Sequence, residues 1–383
     1  MSANPPFIIP PGTIPIDLLP GDGRFGSGPS KIQNEFVNDL AGMESTFLGT
    51  SHRRDPVKSV VGSIRSGLAA FYDLPDGYEV VLGVGGATAF WDAAVFGLIE
   101  ERSAHFVCGE FSHKFATSVQ SAPHLGEPII LEAPPGDAPS PIPVHGVDVA
   151  SFIHNETSTG VTAPFERLSD ALVVVDGTSG VGAIPFDVPS VDVYYFSPQK
   201  ALGSEGGLWL ALMSPAAIDR IARIARSQRW IPPFLSLATA VDNSMKNQTY
   251  NTPALATLYL LDRQLSGVLD RGGLSWAAER CRDSSSRLYR WAEGSDVMTP
   301  FVSNPTLRST TVVTIDVDPQ IDADAVSYAL RLNGIVDTES YRKLGRNQLR
   351  IATFPNVDPG DITALTHCID FVVDRLQEAR AEG

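Results

Sequence analysis

Seven short apolar runs lie between Val80 and Ser214: "VVLGVG", "HFVCGEF", "EPIILEA", "VASFIHN", "ALVVVDG", "VDVYYFS" and "GLWLALMS". Their apolar positions are consecutive rather than alternating, they favour β-branched residues, and five of the seven end in Gly, Asn or Ser. This pattern predicts strands buried on both faces, hence a mainly parallel sheet covered by helices. Helical periodicity fits between some of them, as in "ATAFWDAAVFGLIEER" after the first run. Beyond Ser214 the pattern turns helical, with "PAAIDRIARIARSQRW" and then the long stretch from Thr252 to Glu293. The last eighty or so residues read β-α-β-α: "STTVVTIDV", "DADAVSYALRLNG", "NQLRIATF" and "DITALTHCIDFVVDRLQEA". The expected fold class is therefore α/β, with a large domain around a seven-stranded sheet and a smaller C-terminal α/β domain. The expected division is an N-terminal arm over 1–20, a large domain over 21–268 and a small domain over 269–383.

Length and charge narrow the picture. A chain of 383 residues has room for about two to three domains. A formal net charge of −15 disfavours nucleic acid and anionic membrane as partners, since both need basic surface. An anionic ligand would have to be met by local arginines. No apolar run approaches the roughly 20 residues of a bilayer span, and the proline-broken start lacks a basic n-region, so it reads as an arm rather than a signal peptide. Cys108, Cys281 and Cys368 are isolated, which predicts no disulfide framework and fits a reducing cytoplasm. The seven histidines show no metal-ligand spacing, so no metal is expected.

In an open parallel sheet the ligand sits beyond the carboxyl ends of the strands. The residues expected there are Gly86, Ala87 and Thr88, then Phe111, then Asn155, Glu156 and Thr157, then Asp176, and finally Ser197, Gln199 and Lys200. Each has a plain reading alone: a surface lysine, an Asp-Gly turn, a core phenylalanine. "GVGGAT" departs from G-x-G-x-x-G, no acidic residue ends the next strand, and no P-loop is present, so a dinucleotide or Walker site is not indicated. Together, in this order, they supply what pyridoxal 5′-phosphate (PLP) requires. Lys200 is an amine that can form a Schiff base, Asp176 a carboxylate for the pyridine nitrogen, Phe111 a flat partner, and "GGAT" a helix start for the phosphate.

On these residues the chain resembles the phosphoserine aminotransferases, class V enzymes of the fold-type I PLP transferases, and their actinobacterial branch in particular. The resemblance runs through "RFGSGPSKI", "GTSHRRDPV", "VGGATAFWDAA", "HNETSTGV", "VVVDGTSGVGAIPFDV", "YYFSPQKALGSEGG", "NTPALATLYLL" and "SYRKLGRNQLRIATF". It implies transfer of an amino group between L-glutamate and 3-phosphohydroxypyruvate, giving O-phospho-L-serine and 2-oxoglutarate in serine biosynthesis. A phosphorylated four-carbon oxo-acid of pyridoxine biosynthesis is left open as a second substrate. Lys200 would carry the cofactor and then act as general base and acid, and Asp176 would pair with the pyridine nitrogen. Ala87, Thr88, Phe111, Thr157 and Gln199 would complete the cofactor site. Asn251 and Thr252 would reach the cofactor phosphate of a neighbouring subunit, which implies a homodimer with shared sites. Arg53 would hold the substrate α-carboxylate, Ser27 would approach glutamate, and Arg342 and Arg350 would hold the substrate phosphate. Phe111 stands where many relatives have Trp, and Tyr341 where many have His. The alternatives are another class V enzyme of alanine–glyoxylate type, a cysteine desulfurase, or a non-catalytic binding protein on the same fold. Cys281 and Cys368 lie in helical patterns, which counts against the desulfurase.

Overall fold

The computed structural model describes residues 12–43 and 46–382; the first eleven residues of the expected arm lie outside them. All seven apolar runs form strands. In chain order they are β1 (Glu79–Val84), β2 (Ser103–Val107), β3 (Ile129–Glu132), β4 (Val149–Ile153), then a small hairpin of β5 (Asn155–Glu156) and β6 (Val161–Thr162), then β7 (Leu172–Asp176), β8 (Val193–Phe196) and β9 (Leu208–Met213). The main sheet has the order β1-β9-β8-β7-β4-β2-β3. Its β2–β3, β2–β4, β4–β7 and β7–β8 pairs are parallel, while β9 runs antiparallel to both β1 and β8.

The unbroken apolar runs follow from burial on two faces. In β7, Val173 and Val175 join the cluster on one side of the sheet, and Leu172 and Val174 join the cluster on the other. Each such side chain contributes roughly 2 kcal/mol relative to exposure. The helices α1 (Asn34–Ala41), α2 (Asp55–Phe71), α3 (Gly86–Gly97), α4 (Glu110–Gln120), α5 (Pro215–Ala225), α6 (Leu237–Ser244), α7 (Leu255–Asp270) and α8 (Gly273–Glu293) follow in the chain. One face of the sheet packs against α2 and α7 through Val61, Ile64, Leu68, Leu258, Leu261 and Leu265. The other packs against α3, α4, α5 and α6 through Phe90, Phe115, Ile221 and Leu237. The long helical stretch breaks at Gly272 and Gly273, whose φ angles of 115° and 64° lie in the left-handed region that favours glycine.

The C-terminal part is a three-stranded antiparallel sheet of β10 (Met298–Pro300), β11 (Val312–Val317) and β12 (Gln348–Ala352), backed by α8, α9 (Ala323–Leu332) and α10 (Pro359–Glu382). Phe25, assigned above to the large domain, is fully buried in the C-terminal core together with Ile14. The backbone explains this: Val336 N–H donates to the Gly23 carbonyl (2.8 Å), and Ala352 N–H to that of Phe25 (3.0 Å). Hydrophobic periodicity within one segment carries no signal for such a partner more than 300 residues away. Among the described residues no helix is long and apolar enough to cross a membrane.

Candidate active site

The carboxyl ends of β1, β4, β7 and β8 open onto a cavity of about 290 Å³. Ala87, Thr88, Phe111, Thr157, Asp176, Gln199 and Lys200, all expected there from the sequence, line it. At its rim α3 begins at Gly86 with Gly85 as its N-cap, the two glycines having φ of 72° and 106°. A Cβ on Gly85 would lie 2.6 Å from the Ala89 Cβ, so the turn demands glycine. Gly85 provides no side-chain cap, and the first turn of α3 therefore presents N–H donors and the positive end of the helix dipole to an anion.

Lys200 follows β8 and is 7% exposed. Its Nζ donates to Thr157 Oγ1 at 2.6 Å and lies 4.9 Å from the centre of the Phe111 ring. The "GSGPSK" stretch crosses over it: Ser30 N–H donates to the Gln199 carbonyl at 2.8 Å, and a Cβ on Gly28 would meet Lys200 Cε at 3.0 Å. Ser27 is buried beside this crossing and its hydroxyl has no hydrogen-bond partner. Burial pushes the Lys200 amine down to about 8; Asp176 pulls it back up, Arg350 lowers it further, and Glu156 opposes that.

Asp176 ends β7 at 4% exposure. Its Oδ1 accepts the Thr178 N–H at 2.8 Å. Burial raises its pKa, opposed by hydrogen bonds from Thr178, the charge of Lys200 and the Tyr195 hydroxyl. Trp91 Nε1 in turn donates to Tyr195 Oη at 2.9 Å. A buried carboxylate on a cavity wall is best matched by a cationic or protonated group on the occupant.

The remaining expected residues fall elsewhere. Arg350 is half-buried, with Nη1 donating to the Thr157 carbonyl at 3.3 Å, its guanidinium 5.4 Å from the Tyr341 ring centre, and a buried Nε that has no partner. Arg342 is exposed in a single 3₁₀ turn. Of the neighbouring cations, Lys343 pairs with Glu110 and Arg346 with Asp316. Arg53, Asn251 and Thr252 are exposed and do not line the cavity. They lie in a separate cluster, where Arg53 Nη1 donates to Gln248 Oε1 (2.8 Å) and Thr252 Oγ1 is 3.2 Å from His52 Nδ1. The structure thus places Arg350, rather than Arg53, beside Lys200 within one chain.

The sequence did not point to Trp91, Thr178 or Ser179, which also line the cavity, as does Asn155, expected at this edge without a role. Trp91 was within reach, since it lies one turn after Ala87 and Thr88 on the same helix. Thr178 and Ser179 sit in a turn whose path no local periodicity predicts.

The Aminotransferase class-V family model matches residues 138–338. The chain belongs to this class of PLP-dependent transaminases. It is 57% identical over 366 residues to the phosphoserine aminotransferase of Rhodococcus jostii (strain RHA1), covering 95% of this chain and 98% of that protein. It is also 57% identical to a putative phosphoserine aminotransferase of Mycobacterium leprae (strain TN), covering 95% and 97%. Its fold matches the crystal structure of a phosphoserine aminotransferase from Cytophaga hutchinsonii with a TM-score of 0.83 at 23% identity, over 91% of this chain and 99% of that one. Within class V, its family is that of the phosphoserine aminotransferases. The donor set fits PLP: a buried amine, a buried carboxylate of raised pKa, a flat ring and an uncapped helix start converge on one cavity.

Proposed function

We propose that this enzyme interconverts 3-phosphohydroxypyruvate plus L-glutamate and O-phospho-L-serine plus 2-oxoglutarate, in the cytoplasm, as a step of serine biosynthesis. The observation that carries the chemistry is the convergence of Lys200, Asp176, Thr157 and Phe111 on one cavity at the first turn of α3. Lys200, Asp176, Thr157, Gln199, Phe111, Ala87 and Thr88 would hold PLP, which supplies an electron sink for the bonds at the substrate's α-carbon. Lys200 moves the proton at that carbon. Burial holds its amine well below the usual lysine range, which brings the neutral form within reach near neutral pH. It therefore serves as base and, once protonated, as acid. Thr157 orients the amine by its hydrogen bond, and the "GSGPSK" crossing limits water access from above.

The allocation of arginines reverses the one expected from the sequence. An α-carboxylate is one bond from the carbon that Lys200 serves, so the half-buried Arg350 at the Thr157 carbonyl suits it better than the exposed Arg53. Arg342 and Arg53 are left to meet the phosphate, with Ser27 at the buried crossing as a further substrate contact. Arg53, Asn251 and Thr252 would act from the partner subunit of a homodimer. In support, Phe234 and Tyr250, which border one small pocket together with Asn251, are exposed large side chains that favour a covering surface. We propose two domains: the large sheet with its helices, and the antiparallel sheet with α8 to α10 together with residues 14–25.

The test is a coupled assay of the purified holoenzyme with phosphoserine, serine and alanine as amino donors to 2-oxoglutarate. A kcat/KM for phosphoserine at least a hundredfold above the others supports this reading. Comparable values for alanine and phosphoserine refute it.

A further inference from the structure

We propose that Glu156 is a positioning residue that sets the Phe111 ring against the cofactor; the inference rests on the reading of Phe111 as the stacking residue. Glu156 is fully buried, although no step above uses it. Its carboxylate lies at the start of α4. Oε2 accepts the N–H of Phe111 and the N–H of Ser112, both at 3.1 Å. Oε1 accepts the N–H and hydroxyl of Ser158 at 3.2 and 2.6 Å. The Ser158 hydroxyl also receives the Glu110 N–H at 3.1 Å.

These contacts solve a local problem. A helix start leaves N–H groups without intrahelical partners, and they are ordinarily satisfied by a Ser, Thr, Asp or Asn at the N-cap. The N-cap of α4 is Gly109, which has no side chain to offer. A Cβ there would lie 2.5 Å from Glu156 Cγ and 2.6 Å from Ser158 Oγ, so the glycine makes room for a cap delivered from the β5 hairpin. Phe111 is the second residue of that first turn. The direction of its Cα–Cβ bond follows from its backbone, and that backbone is held by the Glu156 carboxylate. The residue after Glu156 is Thr157, the Lys200 partner, so the segment that holds the Phe111 backbone also holds the Lys200 amine. The Ser112 hydroxyl also donates to Oε2 at 3.0 Å, and a carboxylate suits the place because each oxygen faces at least one backbone N–H, toward which an amide would have to turn its N–H₂.

The test is a double-mutant cycle read as the affinity of the apoprotein for PLP, by quenching of tryptophan fluorescence. Glu156→Gln is expected to weaken binding roughly tenfold, the worth of a lost cap. In a Phe111→Ala background the same substitution is expected to change affinity less than about threefold, because the residue it positions is gone. Gly109→Ala, which drives a methyl group into the carboxylate, is expected to behave like Glu156→Gln in both backgrounds. It carries the cycle if Glu156→Gln shows no cooperative melt. Equal losses in the two backgrounds, or no loss in either, would overturn the role of Glu156 while leaving the function intact. No loss from Phe111→Ala alone would overturn the stacking role itself, and this inference with it.

Discussion

Burying Lys200 inside the cavity makes the apoprotein's stability depend on pH in a way that can be worked out in advance. Its amine is shifted from the usual 10.5 to about 8, chiefly by burial. Between those two values the unfolded chain binds a proton that the folded chain does not, so stability rises with pH across that window. At pH 7.5 both states are largely protonated and the folded state bears nearly the full cost of the buried charge. At pH 10 little of that cost remains. For one group shifted by this amount, the change between pH 7.5 and pH 10 comes to about 2 kcal/mol in favour of folding. Lys200→Met keeps the side chain's length and removes the titration. The assay is urea unfolding of both apoproteins at fixed concentration across this range. The stability advantage of the methionine variant should shrink by about 2 kcal/mol from pH 7.5 to pH 10. Parallel pH profiles would show that the lysine titrates normally and is not buried as described.

Asp176→Asn retains an acceptor for the Thr178 N–H but loses the charge. It should lower kcat by a hundredfold or more, from a term on the order of 3 kcal/mol, and a kcat within threefold of wild type would reduce Asp176 to a turn residue. Arg350→Ala should reduce kcat/KM for phosphoserine and glutamate alike, by roughly 2–3 kcal/mol, whereas Arg53→Ala should weaken phosphoserine more than glutamate. The reverse pattern would restore the allocation expected from the sequence. If the proposed homodimer shares its sites, mixing Lys200→Ala with Thr252→Ala subunits should regenerate one intact site per hybrid dimer, visible as recovered activity; no recovery after verified subunit exchange would place both residues in one subunit's site.

The large sheet was legible because burial on two faces leaves consecutive apolar residues, and all seven such runs became strands. The cavity-lining residues were legible for a related reason: each follows the end of one of those strands, so finding the strand ends located Asp176, Thr157 and Lys200. What lay hidden depends on contacts between distant segments. Phe25 packs in the C-terminal core through backbone pairing with residues 336 and 352. β10, three residues long, has too short a run to show periodicity. Arg53 and Arg350 look alike in sequence, and only the fold separates an exposed cation from one beside Lys200. Glu156 falls at the expected edge of the sheet, but nothing local reveals that its carboxylate crosses to the start of α4.

The central claim is that Lys200 is the residue that carries PLP. The measurement that tests it most directly is borohydride reduction of the holoenzyme, followed by proteolysis and mass mapping of the modified lysine. The account predicts a single phosphopyridoxyl label, on Lys200, and no label in Lys200→Ala. A label on another lysine in the wild-type enzyme, or one that persists at full yield in the variant, would contradict it.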